Sequence, residues 1–347
     1  MTRSFDAIAI GSGLGGLTAA ALCARSGLRV LVLERNDTFG GAATVYQHNG
    51  LAIESSLHEI DGFDADDPKL PLIRVLGLEH DLQFIDVGDL YEVRGGPLAT
   101  PFVMPHGADA ALAAAVARFP QQKTGLEEYF RRLRALRGAV SFAAHHREDR
   151  NWWLLHAPEA VRALWPLLRE GSATLGDVLA ELFGDDEAVK LALAANIAYY
   201  HDDPDRLLFL RFAIPQASYL IGGGHYVRGG SQSLTDRLVT LIKDAKGELE
   251  TGREANGLII EGGRVAGVRH VNRAGTIFKP TWLRSFSAMP RLRCSPPCCH
   301  KGTRTPFSHP TPTGDRRSHC GPYRSGSIVR RKSSASGITP PLSCHPG

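Results

Sequence analysis

Residues 8–41 constrain this chain more than any other stretch. They read Ile8-Ala-Ile-Gly11-Ser12-Gly13-Leu14-Gly15-Gly16, an Ala/Leu-rich run to Ala24, Val30-Leu-Val-Leu-Glu34-Arg35, and then Gly40-Gly41-Ala42. An apolar strand, a glycine turn, a helix and a second strand ending in an acid make a βαβ unit. Gly11 permits a tight turn out of the strand, and Gly13 lets backbone come close to a phosphate. Gly16 lets the helix lie against the sheet. The helix start offers unpaired N–H groups and the positive end of its dipole to an anion. Glu34 follows Gly16 by 18 residues, where a carboxylate can accept from ribose hydroxyls. The pattern predicts an adenine dinucleotide site. An acid at position 34 disfavours a 2′-phosphate, and therefore NADP.

The run from Glu34 to Ala42 resembles the extended motif of two-domain flavoproteins, in which the loop after the acid returns along the diphosphate. Backbone passing that close wants residues without side chains, hence Gly40-Gly41. The only other glycine run of note, Gly222-Gly223-Gly224, lacks a strand-then-helix context, so one dinucleotide is expected. FAD is preferred to NAD. The cofactor residues are then Gly11, Ser12, Gly13, Leu14, Gly15, Gly16, Glu34, Arg35, Gly40, Gly41 and Ala42.

Three further segments carry a wider resemblance: Asn49-Gly50-Leu-Ala-Ile-Glu54-Ser-Ser-Leu-His58-Glu59, Gly224-His-Tyr226-Val-Arg-Gly229-Gly230-Ser231, and Gly252-Arg-Glu-Ala255 with Gly262-Gly-Arg-Val-Ala-Gly267-Val268. With the opening turn, residues 5–63 and 225–270 resemble the phytoene desaturase, carotenoid isomerase and retinol saturase group of FAD oxidoreductases. That resemblance implies an α/β fold. A Rossmann-like FAD-binding domain in two segments, 1–74 and 223–278, would flank a mostly helical α+β substrate domain at 75–222. It implies backbone contact of Ala255 with the cofactor, and His58, Glu59, Tyr226, Gly229 and Gly230 near flavin and substrate. It also implies redox chemistry on a carbon–carbon bond of an apolar substrate, with the cofactor doing the chemistry. The alternatives are a flavin amine oxidase-like enzyme and an inactive flavoprotein remnant. On residues alone, His58 can equally be a turn histidine, and Gly229-Gly230 a helix-entry turn before Leu234–Ile242. Residues 1–278 show neither a Ser-His-Asp order nor metal-ligand spacing, and no catalytic residue is assigned.

Between about 75 and 220 the apolar positions recur at helical spacing over 110–119, 125–140, 157–170 and 175–183. Asp64-Ala-Asp-Asp-Pro68 reads as a loop, and Pro120 and Pro204 as boundaries. Residues 258–270 alternate as a hairpin around Gly262-Gly263. Three of the four tryptophans fall at 152, 153 and 165. Residues 151–168 read either as a segment lying in a membrane interface or as a Trp-anchored core helix. No apolar run reaches the ~20 residues of a membrane span, and the N-terminus shows no signal pattern. The expected location is the cytoplasm, peripheral to a membrane if 151–168 lies on one.

From residue 279 the composition changes. Residues 279–347 hold 11 of 21 prolines, five of six cysteines, and 12 Lys/Arg against the single acid Asp315. Residues 1–278 carry 28 bases and 35 acids, so the overall +4 is −7 plus +11 and implies no nucleic-acid partner. Such a tail can be a basic arm, a metal knuckle on Cys294, Cys298, Cys299 and His300, or out-of-frame text; the last is preferred, and no metal is expected. With Lys279–Leu283 encoded AAG CCG ACG TGG TTG, reading from the last G of the lysine codon gives Ala-Asp-Val-Val. With codons chosen likewise, and an A before Met289 and a G before Ile328, the same shift converts Met289–Lys301 to NAAPAVLPAMLPQ and Ile328–Pro340 to DRPAQEFGIRHYS. The first two resemble the strand and turn that follow the 258–270 hairpin in the group. The tail is therefore expected to be non-native and disordered. Lost family segments would leave a sheet edge uncovered and flavin binding weak or absent.

Overall fold

The computed structural model describes residues 4–147, 150–278, 281–283 and 328–329. They divide into two compact units, between which the chain passes at 60/61, 70/71, 85/86 and 225/226. Beside the boundaries expected at 74/75 and 222/223, residues 61–70 group with the helical unit and 71–85 with the first.

The first unit is built on a three-stranded parallel sheet in the order Glu248–Glu250, Val30–Leu33, Ala7–Ile10. All four residues of Val30–Leu33 are buried, as expected of a parallel strand covered on both faces. The connecting helix Leu14–Arg25 buries Leu17, Ala20, Ala21 and Ala24, whose small side chains let a second helix, Ser231–Asp244, approach closely. That helix contributes Leu234, Leu238, Val239 and Ile242 to the same core. Among the described residues no strand pairs with the outer edge of Ala7–Ile10, and Ile10 is 51% exposed there.

A second sheet runs Ser4–Phe5, Thr281–Leu283, Arg264–Val271, Glu254–Glu261. The hairpin turn falls at Gly262-Gly263, with φ +55° and +76°, the two positive values of a type I′ turn. Thr281–Leu283 lies parallel to Ser4–Phe5 and antiparallel to Arg264–Val271, so the sheet continues three residues into the stretch expected to be non-native. Apart from these residues and Ile328–Val329, which pairs with Tyr91–Val93, the tail lies outside the described residues.

The second unit is mainly helical, with helices at Ala108–Arg118, Lys123–His145, Ala157–Arg169, Leu175–Phe183, Glu187–Ala194 and Phe209–Gly222. Its spine is Lys123–His145, which buries Leu126, Tyr129, Phe130, Leu133 and Leu136, an i, i+3, i+4, i+7, i+10 stripe. Helix Leu175–Phe183 starts in a capping box, Thr174 and Asp177 each bonding the other's backbone N–H. The 151–168 segment is not a core helix. Trp152 and Trp153 are half-buried, but Leu154, Val161, Trp165 and Leu168 all face out, Leu154 at 81% exposure. The segment spans two helices, Arg150–Leu155 and Ala157–Arg169, and the second has its other side, through Ala160 and Leu167, already buried in the unit.

Candidate dinucleotide site

The glycine turn follows Ile10 directly. Gly11 takes φ +93°, and a Cβ on Gly16 would collide with the Gly11 carbonyl oxygen, so the helix can start here only on glycine. The 40–42 loop closes onto the turn. Gly40, at φ +121°, donates its N–H to Ser12 O and Oγ at 3.0 and 3.1 Å, and it bridges Gly13 in parallel fashion. A Cβ on Gly41 would stand 3.1 Å from Gly13 Cα, while one on Gly40 would lie 2.7 Å from Thr235 Oγ1. Thr235 donates that hydroxyl to Ala43 O at 2.9 Å, which ties the loop to helix Ser231–Asp244.

Glu34 is 4% exposed. Its carboxylate accepts from Ser12 N at 2.8 Å, Ser12 Oγ at 2.6 Å and Asn36 N at 2.8 Å. Burial pushes the carboxyl up, but the bonds from Ser12 and Asn36 outweigh it and hold it below its ordinary value. The Glu34 backbone pairs with Glu250 O and the Arg253 N–H. Ala255, two residues further on, is half-buried against the cluster of Leu31 and Leu33. Arg35 and Ala42 are exposed on the two sides of the loop between Glu34 and Gly41.

These residues suit a dinucleotide. A Cβ on Gly13 or Gly15 would meet nothing within 4 Å, so open space lies in front of both. The helix beginning at Leu14 has no side-chain cap and no acid in its first turn, the condition in which its N–H groups and dipole take a diphosphate. Glu34 Oε1 receives one N–H and retains a lone pair for a ribose hydroxyl.

The second group of expected residues surrounds a junction that sequence reading missed. Glu54, at the end of strand Leu51–Glu54, accepts the Ser231 N–H at 2.7 Å on one oxygen and the Ser231 hydroxyl on the other. A strand carboxylate thus caps helix Ser231–Asp244 in place of a local side chain. Gly229 and Gly230 precede it at φ +84° and +88°, and a Cβ on Gly230 would strike Glu54 Oε1. Tyr226 is 37% exposed. His58 lies exposed and Glu59 half-buried in the loop after Glu54. The available signal was a lone acid in the apolar strand and a serine directly after two glycines. Among the described residues no His, Cys, Asp and Glu cluster suits a metal ion, and no helix is long and apolar enough to cross a membrane.

The NAD(P)-binding Rossmann-like domain family matches residues 10–70. The all-trans-retinol 13,14-reductase of Macaca fascicularis is 26% identical over 280 residues, covering 77% of this chain and 44% of its own length. The neurosporene-forming phytoene desaturase of Cereibacter sphaeroides is 23% identical over 320 residues, covering 83% and 56%. The chain is thus a homologue of a retinol 13,14-reductase, a prolycopene isomerase and a phytoene desaturase. It spans about half the length of the curated members it matches. An oxidoreductase structure from Methanosarcina mazei, 18% identical, superposes with a TM-score of 0.52 over 78% of this chain and 56% of that one. The shared fold is the mixed α/β architecture with a dinucleotide-binding Rossmann-type domain.

Proposed function

We propose that the chain binds FAD and belongs to an oxidoreductase acting on carbon–carbon bonds of an apolar, polyene or isoprenoid-like substrate. The observation that supports this best is the Gly40-Gly41 loop bonded to Ser12 and packed on Gly13, a second glycine wall along the open helix start. In this reading the N–H groups at Gly13–Gly16 take the diphosphate and Glu34 the ribose, while the backbone at Ala255 touches the cofactor. When bound, the flavin supplies hydride transfer at N5. The chain's own part is to hold the substrate carbons at that position and keep water out. His58, Glu59, Tyr226 and the Gly229-Gly230 turn are the groups assigned to the ring side. Because the chain with its shifted tail is expected to take up flavin weakly or not at all, the test is made on the frame-restored chain, titrated with FAD and with NADH and read by flavin and nicotinamide fluorescence. FAD uptake without NADH uptake is expected, and neither ligand binding would remove the basis of the reading.

A peripheral membrane contact through 151–168 belongs to the same proposal. Val161, Trp165 and Leu168 share an exposed face of helix Ala157–Arg169, Leu154 stands exposed on the preceding helix, and Arg162 and Arg169 add positive charge. Sedimentation with anionic phosphatidylglycerol vesicles is expected to carry the wild-type chain down and to leave Leu154→Glu/Leu168→Glu in the supernatant. Equal partition of the two would refute the contact. The composition beyond residue 279 supports a shifted reading frame there. Resequencing the gene across the Lys279 codon decides it, and codons incompatible with the shifted text would exclude it.

A further inference from the structure

Within the helical unit a groove of about 590 Å³ is lined by Tyr199, Tyr200, His201, Arg206, Leu208 and Arg211. Its volume falls in the range of small-molecule sites. Two exposed arginines line one groove here, and among the described residues neither Arg206 nor Arg211 has an ion pair or a side-chain hydrogen bond. Acids are close: Asp202 is held by the groove's own His201, and Asp61, paired with Lys69 at 3.5 Å, acts on Tyr200 from nearby, while the acids next in sequence to Arg206 are engaged elsewhere. Asp202 meets His201 Nδ1 at 3.1 Å, Asp203 accepts the Asp205 N–H at 2.9 Å, and the Asp205 carboxylate packs against Gly176. None of the three lines the groove. Arg211 also sits in the first turn of helix Phe209–Gly222, which contains no acid, so its charge is added to the positive end of a helix dipole. Burial pushes the Tyr200 phenol up to about 12, so it stays protonated and able to donate. The wall is amphipathic: Leu208 and the rings of Tyr199 and Tyr200 offer apolar surface beside the two cations.

We propose that this groove binds the anionic head of an amphiphile, a carboxylate or a phosphate held by Arg206 and Arg211, with the first carbons of its tail on Tyr199 and Leu208. Arginine suits this because its planar fork bonds two oxyanion oxygens at once. The choice of a polyene tail rests on the function proposed above, whereas the anion site does not.

The test uses the full 347-residue chain and matched pairs differing only at the head: all-trans-retinoate against all-trans-retinol, and geranylgeranyl diphosphate against geranylgeraniol. Binding is read by quenching of intrinsic fluorescence, with circular dichroism confirming that variants are folded. At least one acid is expected to bind tenfold or more tightly than its alcohol. The advantage is expected to shrink in high salt and to vanish in Arg206→Gln/Arg211→Gln. Whichever acid is preferred identifies the head as carboxylate or phosphate. Equal binding of acid and alcohol in both pairs, or an advantage that survives the double substitution, overturns the proposal. Flavin uptake, measured in parallel on the frame-restored chain, reports on the other reading: an intact head preference without flavin uptake there sinks only the flavin assignment, and the reverse sinks only this groove.

Discussion

The glycine turn of the first unit and the long helix of the second reach order by opposite means. Around Gly11–Gly16 and Gly40–Gly41 the backbone comes within contact distance of itself, and single hydrogen atoms in place of side chains decide whether it can close. Along Lys123–His145 the same chain relies on a repeated apolar stripe, where the sum of many contacts matters and no one backbone angle does. The first region is therefore brittle and legible residue by residue. The second is tolerant and legible only as a period.

Substitutions in the two regions separate these behaviours. The largest effect is expected at Gly16→Val, because the new Cβ collides with the rigid Gly11 carbonyl rather than with a movable side chain. In the frame-restored chain dinucleotide uptake should fall by two orders of magnitude or more, read by flavin titration; retention within threefold would show that the turn can reshape. In the helical unit Leu133→Ala, at a fully buried stripe position, should cost about 2–5 kcal/mol in urea unfolding while preserving helix content. A loss under ~1 kcal/mol would mean the stripe repacks around the cavity.

Glu34→Gln is expected to act through pH. The folded carboxyl is held below its ordinary 4.5, so its ionised form favours the folded state. That stabilisation is complete above the unfolded value and disappears as pH falls through the folded one. Urea midpoints measured from pH 7 down to 3 should therefore show a shallower acid decline in the variant, and parallel curves would dissociate the carboxyl from stability. Tyr129→Phe is smaller and of opposite sign. The Tyr129 hydroxyl is buried without a hydrogen-bond partner among the described residues, so its removal should raise Tm slightly, by about 1 kcal/mol or less of stability. Smallest is Gly138→Ala on the exposed side of the long helix, where a Cβ meets nothing within 4 Å. Helix propensity then favours alanine by up to ~1 kcal/mol, and a destabilisation would contradict the picture of a tolerant helix.

Much of the first unit was readable along the chain because its constraints are local. The spacing from Gly16 to Glu34, the pair at 40–41 and the Gly262-Gly263 turn each report a backbone need that glycine or an acid meets alone. Helix ends in the second unit were read to within a few residues for the same reason: the expected 110–119 and 125–140 became Ala108–Arg118 and Lys123–His145. The Glu54–Ser231 junction was not readable. It joins residues 177 apart, and an acid in a strand carries no mark of its partner.

Sequence by itself determined where the chain turns, which strand carries the acid, and which positions tolerate no side chain, since steric exclusion at a glycine acts over one or two residues. Tertiary structure alone decided that Glu54 caps a distant helix and that the Trp165 face looks outward. It likewise decided that Arg206 and Arg211 share a groove that none of their neighbouring aspartates lines. Burial and charge pairing depend on what the rest of the chain brings alongside, and hydrophobic spacing within one helix cannot say which of its two apolar faces will be covered.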